Sequence, residues 1–496
     1  MCYAVKVMVV VFCTIILSDA NSSAQSAINH NRVDSTTARI TVGKQGLQYL
    51  SPNIFGQFIE FLGRCINGGV YDKASPLADE SGFRKDVMEK VKALAPPLLR
   101  YPGGTFSKIY HWQGGIGPVC DRPKRKNLIW GGIEDNAFGT AEFITYCRKI
   151  GAEPFLVVNM ATGTPEEAAH WVEYCNGTED TYYANLRRAQ GYAEPFNVKY
   201  WGLGNEEEAA TDPGMLQDAH VYAQTAWQYI KLMKLNDTSL QLIVAGVTPK
   251  WDEVVVKELS GAANYLSMHL YASGTLGKPA SLFENIQSFE ADLAKLKPLL
   301  NNAGGKVKNW SKWYRFPARR GPIQLAIDEW GIWKDANSAA NTFEAPYTWQ
   351  DALGTASFLN LFQRNSTYVG MATWAQMVNT LAPITTNRQG STYQTVFYPL
   401  AYYRKYAGSQ SLPVNVQSPL LAGSAKAQSL DVSATYNQKG KLLTVFVVNR
   451  SANNIKASIR LPGVPVGNIT LVNLTAGLPN SPEPVTISQQ TCNYTG

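Results

Sequence analysis

Short apolar runs alternate with amphipathic stretches between residues 54 and 378 of the chain. Such runs predict buried parallel strands, and stretches in which apolar residues recur every three or four positions predict helices. The predicted strands are Ile54–Leu62, Leu98–Gly104, Pro154–Met160, Val198–Gly204, Leu240–Val247, Tyr265–Tyr271, Ile323–Glu329 and Met371–Val378. The predicted helices include Arg84–Ala95, Thr140–Ile150, Met215–Leu235, Leu282–Leu300, Gln350–Gln363 and one that begins after Thr164. Eight strand–helix repeats favour an α/β fold, a closed (β/α)8 TIM barrel rather than an open sheet.

The pattern changes after Phe397–Tyr406, which predicts a last helix. Short alternating strands separated by Gly, Pro and Asn then predict a C-terminal antiparallel β-sandwich of jelly-roll-like form. These strands are Leu430–Tyr436, Leu442–Asn449, Ile455–Leu461 and Ile469–Leu474, and a strand at Ala38–Val42 is expected to join them. The predicted domains are a barrel at residues 53–399 and a β-sandwich at 400–496, to which residues 36–52 contribute an N-terminal strand. Asn301–Gly321 predicts a long surface insertion before the seventh barrel strand.

The first 24 residues predict a cleavable signal peptide. Lys6 precedes the apolar run Val7–Leu17, which is too short to span a bilayer, and small residues follow it. We expect cleavage after Ala20 or Ala24 and export of a soluble product, with no membrane partner. Nine Asn-x-Ser/Thr sequons favour a secreted glycoprotein. They lie at Asn21, Asn176, Asn236, Asn309, Asn365, Asn449, Asn468, Asn473 and Asn493.

Composition argues against several other classes of protein. The chain of 496 residues is 45% hydrophobic and 17% charged, which is typical of a globular protein with a large core. It contains five His and neither a CxxC nor an HExxH pattern, so we expect no metal and no other cofactor. The densest basic patch, Arg122–Lys126, is interpreted as a solvated loop, so no nucleic-acid partner is expected. Five cysteines remain after the predicted signal peptide, and this odd number leaves at least one free or bonded to another chain.

Two predicted strands end in a carboxylate at the edge where a parallel barrel carries its chemistry. Glu206 follows Asn205 after the fourth strand, and Glu329 ends the seventh strand beside Asp328. Both lie in short runs that contain Gly and Trp, which favours a chemical role over a salt bridge or a helix cap. Hydrolysis of a glycosidic bond needs two carboxyl groups, one to protonate the leaving oxygen and one to meet the cationic sugar carbon.

Other polar residues are predicted at the same rim of the barrel. They are Glu60, Arg100, Asn159, His269, Tyr271, Gln376 and Asn379. Each has an ordinary structural explanation when taken alone, and a lone histidine such as His269 is more often a core residue. Polar groups at equivalent ends of several strands favour a binding site at the barrel mouth.

These residues lie in a set of motifs that resembles a known family. The motifs are Gly56–Arg64, Arg100–Gly104, Gly115–Pro118, Tyr200–Glu206, Asp328–Trp330 and Ala375–Asn379. Together they resemble glycoside hydrolase family 51, whose best-known members are retaining α-L-arabinofuranosidases. The resemblance implies a (β/α)8 barrel with a C-terminal β-sandwich, with Glu206 as the general acid/base and Glu329 as the nucleophile.

The resemblance also implies roles for the neighbouring residues. Asn205 and Glu60 match residues that hold the arabinose hydroxyls. The residues that match the shell around the nucleophile and the lining of the pocket are Arg100, His269, Tyr271 and Gln376. Thr105 stands at a substrate-binding position where the family usually has Asn, and Gly331 also replaces a usual Asn. Both differences bear on substrate preference more than on the chemistry.

We therefore expect a secreted retaining exo-glycosidase that removes terminal α-L-arabinofuranosyl units from arabinan, arabinoxylan and related cell-wall polysaccharides. Retention requires carboxyl groups about 5 Å apart, with Glu329 ionised and the pKa of Glu206 raised. The alternatives are endo-β-1,4-glucanase or β-xylosidase activity on the same machinery and, outside enzymes, an inactive carbohydrate-binding glycoprotein. The oligomeric state stays open, with a homo-oligomer as one outcome.

Overall fold

The computed structural model describes residues 5–14, 37–43, 46–209, 211–214, 216, 218–275, 277–303, 318–319, 321–334, 343–476 and 485–493. Most of the predicted insertion Asn301–Gly321 lies outside these residues. None of the helices in the described ranges has the length and hydropathy of a membrane-spanning segment. The described cysteines are all free thiols, and these are Cys13, Cys65, Cys120, Cys147, Cys175 and Cys492.

The secondary structure alternates strands and helices up to residue 406 and continues as strands thereafter. The strands are β1 (Val5–Thr14), β2 (Thr37–Val42), β3 (Gln48–Tyr49), β4 (Gly56–Phe58), β5 (Leu98–Tyr101), β6 (Arg125–Lys126), β7 (Ile133–Glu134), β8 (Glu153–Val158), β9 (Tyr200–Leu203), β10 (Gln241–Val244), β11 (Tyr265–Ala272), β12 (Gln324–Ile332), β13 (Val369–Ala375), β14 (Ile384–Thr386), β15 (Ser391–Tyr393), β16 (Gln410–Leu412), β17 (Val414–Gln417), β18 (Leu430–Asn437), β19 (Leu442–Asn449), β20 (Lys456–Arg460), β21 (Val466–Ala476) and β22 (Thr486–Asn493). The α-helices are α1 (Lys85–Leu94), α2 (Thr140–Ile150), α3 (Pro165–Asn176), α4 (Tyr182–Ala189), α5 (Ala219–Asn236), α6 (Pro249–Leu259), α7 (Ala280–Asn301), α8 (Trp349–Arg364) and α9 (Phe397–Tyr406).

Eight of the described strands close into a parallel barrel, in the order β10-β11-β12-β13-β4-β5-β8-β9. This confirms the predicted fold class, and each predicted barrel strand is present. Several strands end earlier than predicted, as β5 does at Tyr101. There the chain leaves the ladder and turns into loops that carry polar side chains over the barrel mouth. The register of β11 on β12 sets His269 opposite Glu329.

The C-terminal domain is built of two sheets that pack face to face. One has the strand order β22-β21-β1-β19-β18-β16-β3, and the other has the order β17-β2-β20. The strand expected just before the barrel is β2, which pairs with β17 and β20. Val432, Val445 and Ile40 fill the apolar space between the sheets. The sandwich therefore takes strands from both ends of the chain.

Val5–Thr14, at the core of the predicted signal peptide, forms a strand of the larger sandwich sheet. This strand, β1, lies between β19 and β21 and is parallel to both. Val10 and Phe12 are fully buried, and the ring of Phe12 stacks on Tyr403 at a centroid distance of 5.5 Å. These residues thus contribute to the core of the uncleaved chain. Cleavage after Ala20 or Ala24 stays a prediction.

An ion network joins the barrel to the sandwich. Asp431 on β18 accepts from Arg364 at the end of α8 at 2.7 Å, and Arg450 lies 2.8 Å from its other oxygen. Burial alone would raise the pKa of Asp431, but the two guanidinium groups hold it below its usual range. A paired charge at this position fixes how the two domains contact each other, because either partner left alone would be a buried, uncompensated ion.

Candidate active site

Glu329 on β12 is held at the barrel mouth by two hydrogen bonds to its carboxylate. Its Oε1 accepts from Arg100 at 2.7 Å, and its Oε2 accepts from the Tyr271 hydroxyl at 2.8 Å. The residue is 7% exposed, so one small face remains open to a ligand. Donors on both oxygens stabilise the negative charge and fix the direction of the carboxylate, as a nucleophile requires.

Arg100 is the fully buried cation that organises this part of the site. Besides Glu329, it donates to the Asn205 side-chain oxygen at 2.7 Å, and its guanidinium lies 4.7 Å from the ring centroid of Phe58. Its Nε is 3.6 Å from a carboxylate oxygen of Asp328. Burial would raise the pKa of Asp328, but Arg100 and His269 outweigh burial and hold it below its usual range. Asp328 is therefore expected to be ionised near neutral pH.

Glu206 follows β9 and faces Glu329 across the mouth. Its Oε1 lies 2.8 Å from Nδ1 of His269, and its side chain is 40% exposed. Carboxylate oxygens of Glu206 and Glu329 lie within 4.8 Å of each other. This separation matches a retaining pair and is too short for an inverting pair, which holds a water between its carboxyl groups.

The pKa of Glu206 differs from the sequence-based expectation. Burial raises it, but the hydrogen bond and charge of His269, with help from Lys108 and Arg100, bring it below its usual value. The pKa of His269 moves the opposite way, to about 10: burial lowers it, and the negative charge of Glu329 with hydrogen bonds to Asp328 and Glu206 outweighs that effect. The predicted rise in the pKa of Glu206 was wrong, because that prediction considered the charge of Glu329 and left out that of His269.

Glu60 forms the wall of the pocket nearest to β4. Its Oε1 accepts from the Phe106 main chain and from the indole of Trp130, both at 3.0 Å, and its Oε2 accepts from Gln376 at 2.8 Å. Burial and the charge of Glu329 raise its pKa to about 7. Near neutral pH, Glu60 can therefore either accept a hydrogen bond as a carboxylate or donate one as a carboxylic acid.

Two buried side-chain amide atoms of the site residues have no partner among the described residues. They are Nδ2 of Asn205 and Oε1 of Gln376, on residues that are 2% and 3% exposed. Buried polar atoms are seldom left unpaired without a reason, and a bound hydroxyl group would satisfy both a donor and an acceptor of this kind. The chain also passes very close to the carboxylates: a Cβ on Gly104 would overlap Glu329, and one on Gly103 would overlap Glu60.

The structure thus joins the predicted site residues other than Thr105 in two hydrogen-bonded groups, Glu60 with Gln376, and Glu329 with Arg100, Asn205, Glu206, His269 and Tyr271. Thr105 is half-buried at the start of a 3-10 helix, and none of the described hydrogen bonds involves its side chain. Two other residues predicted at the rim have structural roles. Asn159 and Asn379 each bind backbone groups of neighbouring loops through their side-chain amides.

Sequence reasoning missed three residues of the site. Trp130 stands before two glycines in a polar loop, and an aromatic residue in that setting was the available signal. Lys108 donates to the main-chain oxygen of Glu206 at 3.0 Å, and Ser267 binds Asp328 at 2.5 Å. Neither carries a pattern that distinguishes it from an ordinary loop or strand residue.

Glu206, His269 and Glu329 offer three ligand atoms at a spacing that a metal ion could use. Arg100, however, already donates to Glu329 at 2.7 Å and would repel a second cation there. The arrangement fits protonation and nucleophilic attack, which need no metal.

A parallel barrel with two carboxyl groups at this separation on its C-terminal rim defines a retaining glycoside hydrolase. Residues 90–290 match the model of the alpha-L-arabinofuranosidase 1 domain, and residues 328–490 match that of the alpha-L-arabinofuranosidase C-terminal domain. The chain belongs to glycoside hydrolase family 51, the family of the α-L-arabinofuranosidases, as its motifs indicated.

Relatives that cover nearly the whole chain place it in this family. It is 38% identical to a probable alpha-L-arabinofuranosidase C of Aspergillus niger, over 90% of this chain and 91% of the relative. It is 32% identical to an intracellular exo-alpha-(1->5)-L-arabinofuranosidase of Bacillus subtilis, over 86% of this chain and 87% of the relative. The crystal structure of the Thermotoga maritima alpha-L-arabinofuranosidase in an arabinose complex superposes with a TM-score of 0.82 at 36% identity, over 92% of this chain and 95% of that one.

Proposed function

We propose that this protein is a retaining exo-acting α-L-arabinofuranosidase that hydrolyses terminal non-reducing α-L-arabinofuranosyl residues of arabinan, arabinoxylan and related cell-wall polysaccharides. The observation that carries the proposal is the approach of Glu206 to within 4.8 Å of Glu329, whose carboxylate is fixed by Arg100 and Tyr271. Family membership supports the arabinofuranosyl part of the proposal.

In the first step, Glu329 attacks the anomeric carbon as the bond from that carbon to the leaving oxygen breaks. The proton from Glu206 goes to the leaving oxygen, and a covalent glycosyl-enzyme forms. Arg100 and Tyr271 hold the Glu329 carboxylate in line with the carbon, so little reorganisation is needed.

In the second step, Glu206 takes a proton from water as the water oxygen attacks the anomeric carbon. The bond to Glu329 breaks and the carboxylate returns to the donors that held it at the start. Two inversions at the same carbon leave the product with the configuration of the substrate. Microscopic reversibility gives Glu206 the acid role in one step and the base role in the other.

The walls of the pocket support exo action. Trp130, on the loop between β6 and β7, contacts Phe343 at a ring centroid distance of 6.0 Å, and Phe343 contacts Trp333 at 5.5 Å. These aromatic contacts link loops that follow different barrel strands. Loops joined in this way favour a pocket that accepts the end of a chain, whereas endo action needs a cleft open at both sides.

The test is hydrolysis of matched substrates with the anomer followed by NMR. An aryl α-L-arabinofuranoside, an aryl β-xyloside and a soluble β-glucan are compared for the wild type and for Glu329→Gln, which keeps the shape and removes the nucleophile. We expect arabinofuranoside hydrolysis with retention, covalent labelling of Glu329 by a mechanism-based inhibitor, and loss of both in the variant. Inverted product, or faster turnover of the xyloside or glucan, would overturn the proposal.

We also propose that the protein is exported and that residues 1–24 are removed, on the strength of the charged and apolar pattern around Lys6 and Val7–Leu17. The Bacillus subtilis relative is described as intracellular. N-terminal sequencing of protein recovered from medium and from cells tests the proposal. A start at residue 21 or 25 in the medium supports it, and an intact Val5–Thr14 segment in all material contradicts it.

Glycosylation follows from export and is restricted by the fold. The amides of Asn365 and Asn449 are buried and donate hydrogen bonds to the protein, whereas Asn468 on β21 is exposed. We expect glycan at Asn468 and none at the two buried positions, as read by mass spectrometry after enzymatic deglycosylation.

A further inference from the structure

Lys108 is a fully buried lysine next to the backbone of the proposed acid/base. It lies on a 3-10 helix, Thr105–Ile109, in the loop that follows β5, and its side chain has no solvent exposure. Its Nζ donates to the main-chain oxygen of Glu206 at 3.0 Å and lies 3.1 Å from a carboxylate oxygen of Asp212. The ammonium therefore joins the loop after β5 to the loop after β9.

An apolar side chain would fill this space without the cost of removing a charge from water. A buried ammonium persists only with close acceptors, and Lys108 has one carboxylate and one carbonyl. Its own main-chain oxygen accepts from the Thr162 hydroxyl at 2.9 Å, which ties the loop to the region after β8. Hydrogen bonds thus hold the lysine both at its backbone and at its ammonium group.

The backbone of Glu206 needs such support. Its φ is 45°, in the left-handed region that residues with a Cβ rarely adopt. Its main-chain oxygen accepts from Lys108 and also from the Ala209 N–H at 2.9 Å, so both lone pairs are used. Rotation of this peptide would swing the carboxyl away from His269 and from the leaving oxygen.

We propose that Lys108 is a positioning residue for general acid catalysis: it locks the backbone of Glu206 so that the carboxyl faces the leaving oxygen. The proposal rests on the function proposed above and deepens it. It assigns to a loop lysine a role in the protonation step, with no contact to the sugar required.

The test separates protonation from the rest of the reaction through the leaving group. The value of kcat/KM reports steps up to formation of the glycosyl-enzyme, so a dinitrophenyl arabinofuranoside needs no acid there, whereas an alkyl arabinofuranoside does. We expect Lys108→Met to lower kcat/KM on the alkyl substrate roughly 100-fold and to change it less than about threefold on the dinitrophenyl substrate.

The pH profile supplies a readout that a structural role would not move. The charged and titratable groups that face Glu206 from the elements around it are His269 and Tyr271 on β11, Glu329 on β12, Arg100 on β5, and Lys108, Glu207 and Asp212 on the two loops. Loss of the Lys108 charge strengthens proton binding at Glu206, so the alkaline limb of kcat/KM should move to higher pH in Lys108→Met. It should stay in place in Lys108→Arg, and Asp212→Asn should move it the other way.

Lys234 provides the matched control. It is a buried lysine on α5 whose Nζ donates to the main-chain oxygens of Thr238 and Leu240, away from the active site. Lys234→Met should lower thermal stability and leave both the leaving-group dependence and the pH limb unchanged. Equal losses on the two substrates in Lys108→Met, or the same pattern in Lys234→Met, would overturn the proposal.

Three further outcomes are distinguishable. If Lys108→Met does not fold, the test rests on Asp212→Asn alone. An alkaline limb that stays in place in Asp212→Asn then rejects the proposal. If the wild type hydrolyses no arabinofuranoside, the proposed function fails first. A fully active wild type with an unaffected Lys108→Met variant rejects the positioning role alone.

Discussion

Nδ1 of His269 lies 2.8 Å from Oε1 of Glu206 and 3.6 Å from the nearer oxygen of Glu329. The same imidazole presents its Nε2 to Asp328 at 3.5 Å. His269 thus stands among three carboxylates, whose negative charge raises its pKa. The hydrogen bond and positive charge of His269 in turn lower the pKa of Glu206. Two coupled groups at this distance titrate as a pair, so one proton held between them is available to the leaving oxygen.

Replacement of His269 by Asn should move the alkaline limb of kcat/KM to lower pH. In the wild type the pair keeps its proton until the pH approaches the raised pKa of His269, about 10. In the variant the proton resides on Glu206 alone and is lost at the pKa of a single carboxyl. The measurement is a pH profile on an alkyl arabinofuranoside. His111→Asn, at a histidine paired with Glu167 outside the pocket, is the control and should leave the limb unmoved.

Glu206→Ala should spare substrates with activated leaving groups far more than natural linkages. A good leaving group departs without a proton, so kcat/KM on a dinitrophenyl substrate stays close to wild type, while natural linkages lose roughly 100-fold or more. Breakdown of the intermediate slows, and azide should restore turnover because it replaces the water that Glu206 activates. Comparable losses on both substrates, without azide rescue, would argue against the acid/base assignment.

Thr105→Asn should strengthen binding of simple arabinofuranosides. Thr105 is half-buried next to Gly104, whose backbone lies against the Glu329 carboxylate, and Asn reaches further and offers both a donor and an acceptor. One added polar contact contributes about 1 kcal/mol, a several-fold fall in KM. If kcat/KM on arabinofuranosides is unchanged or lower while another glycoside improves, Thr105 belongs to a different specificity.

Asp252→Asn should stabilise the protein above neutral pH and leave it unchanged in acid. Asp252 on α6 is buried, and burial raises its pKa to about 7, so the folded chain binds its proton more tightly than the unfolded chain does. Wild-type stability therefore falls as pH rises through that range. Asn keeps the oxygen that accepts from the Val247 N–H at 3.0 Å and removes the charge.

Thermal unfolding of Asp252→Asn and wild type at about pH 4 and about pH 8 is the measurement. The difference in unfolding free energy at the higher pH should reach at most roughly 4 kcal/mol, since each unit of pKa shift corresponds to about 1.4 kcal/mol. The two melting curves should converge at the lower pH. A gap of the same size at both pH values would show that packing, not titration, is responsible.

The barrel and the catalytic pair were predictable because their signals are local. Glu206 follows the buried strand β9, Glu329 lies three residues before the end of β12, and the carboxyl ends of parallel strands meet at one rim. The buried position of Lys108 was not predictable, because a single lysine in a loop suggests a solvated side chain. Its burial depends on Asp212 and on the carbonyl of Glu206, which lie about a hundred residues further along the chain. The lowered pKa of Glu206 escaped prediction for a similar reason, since it depends on a histidine two barrel strands away.

In the uncleaved chain, the place of Val5–Thr14 between β19 and β21 sets an order of folding events during translation. The barrel and its last helix are complete once Tyr406 has left the ribosome, whereas the partners of β1 begin only at Leu442. An apolar strand without partners is a template for aggregation, and pairing across most of a chain is slow. In a chain that keeps these residues, the barrel should therefore fold before β1 can pair with its partner strands. Until its partner strands have been synthesised, the segment stays available to chaperones or export factors.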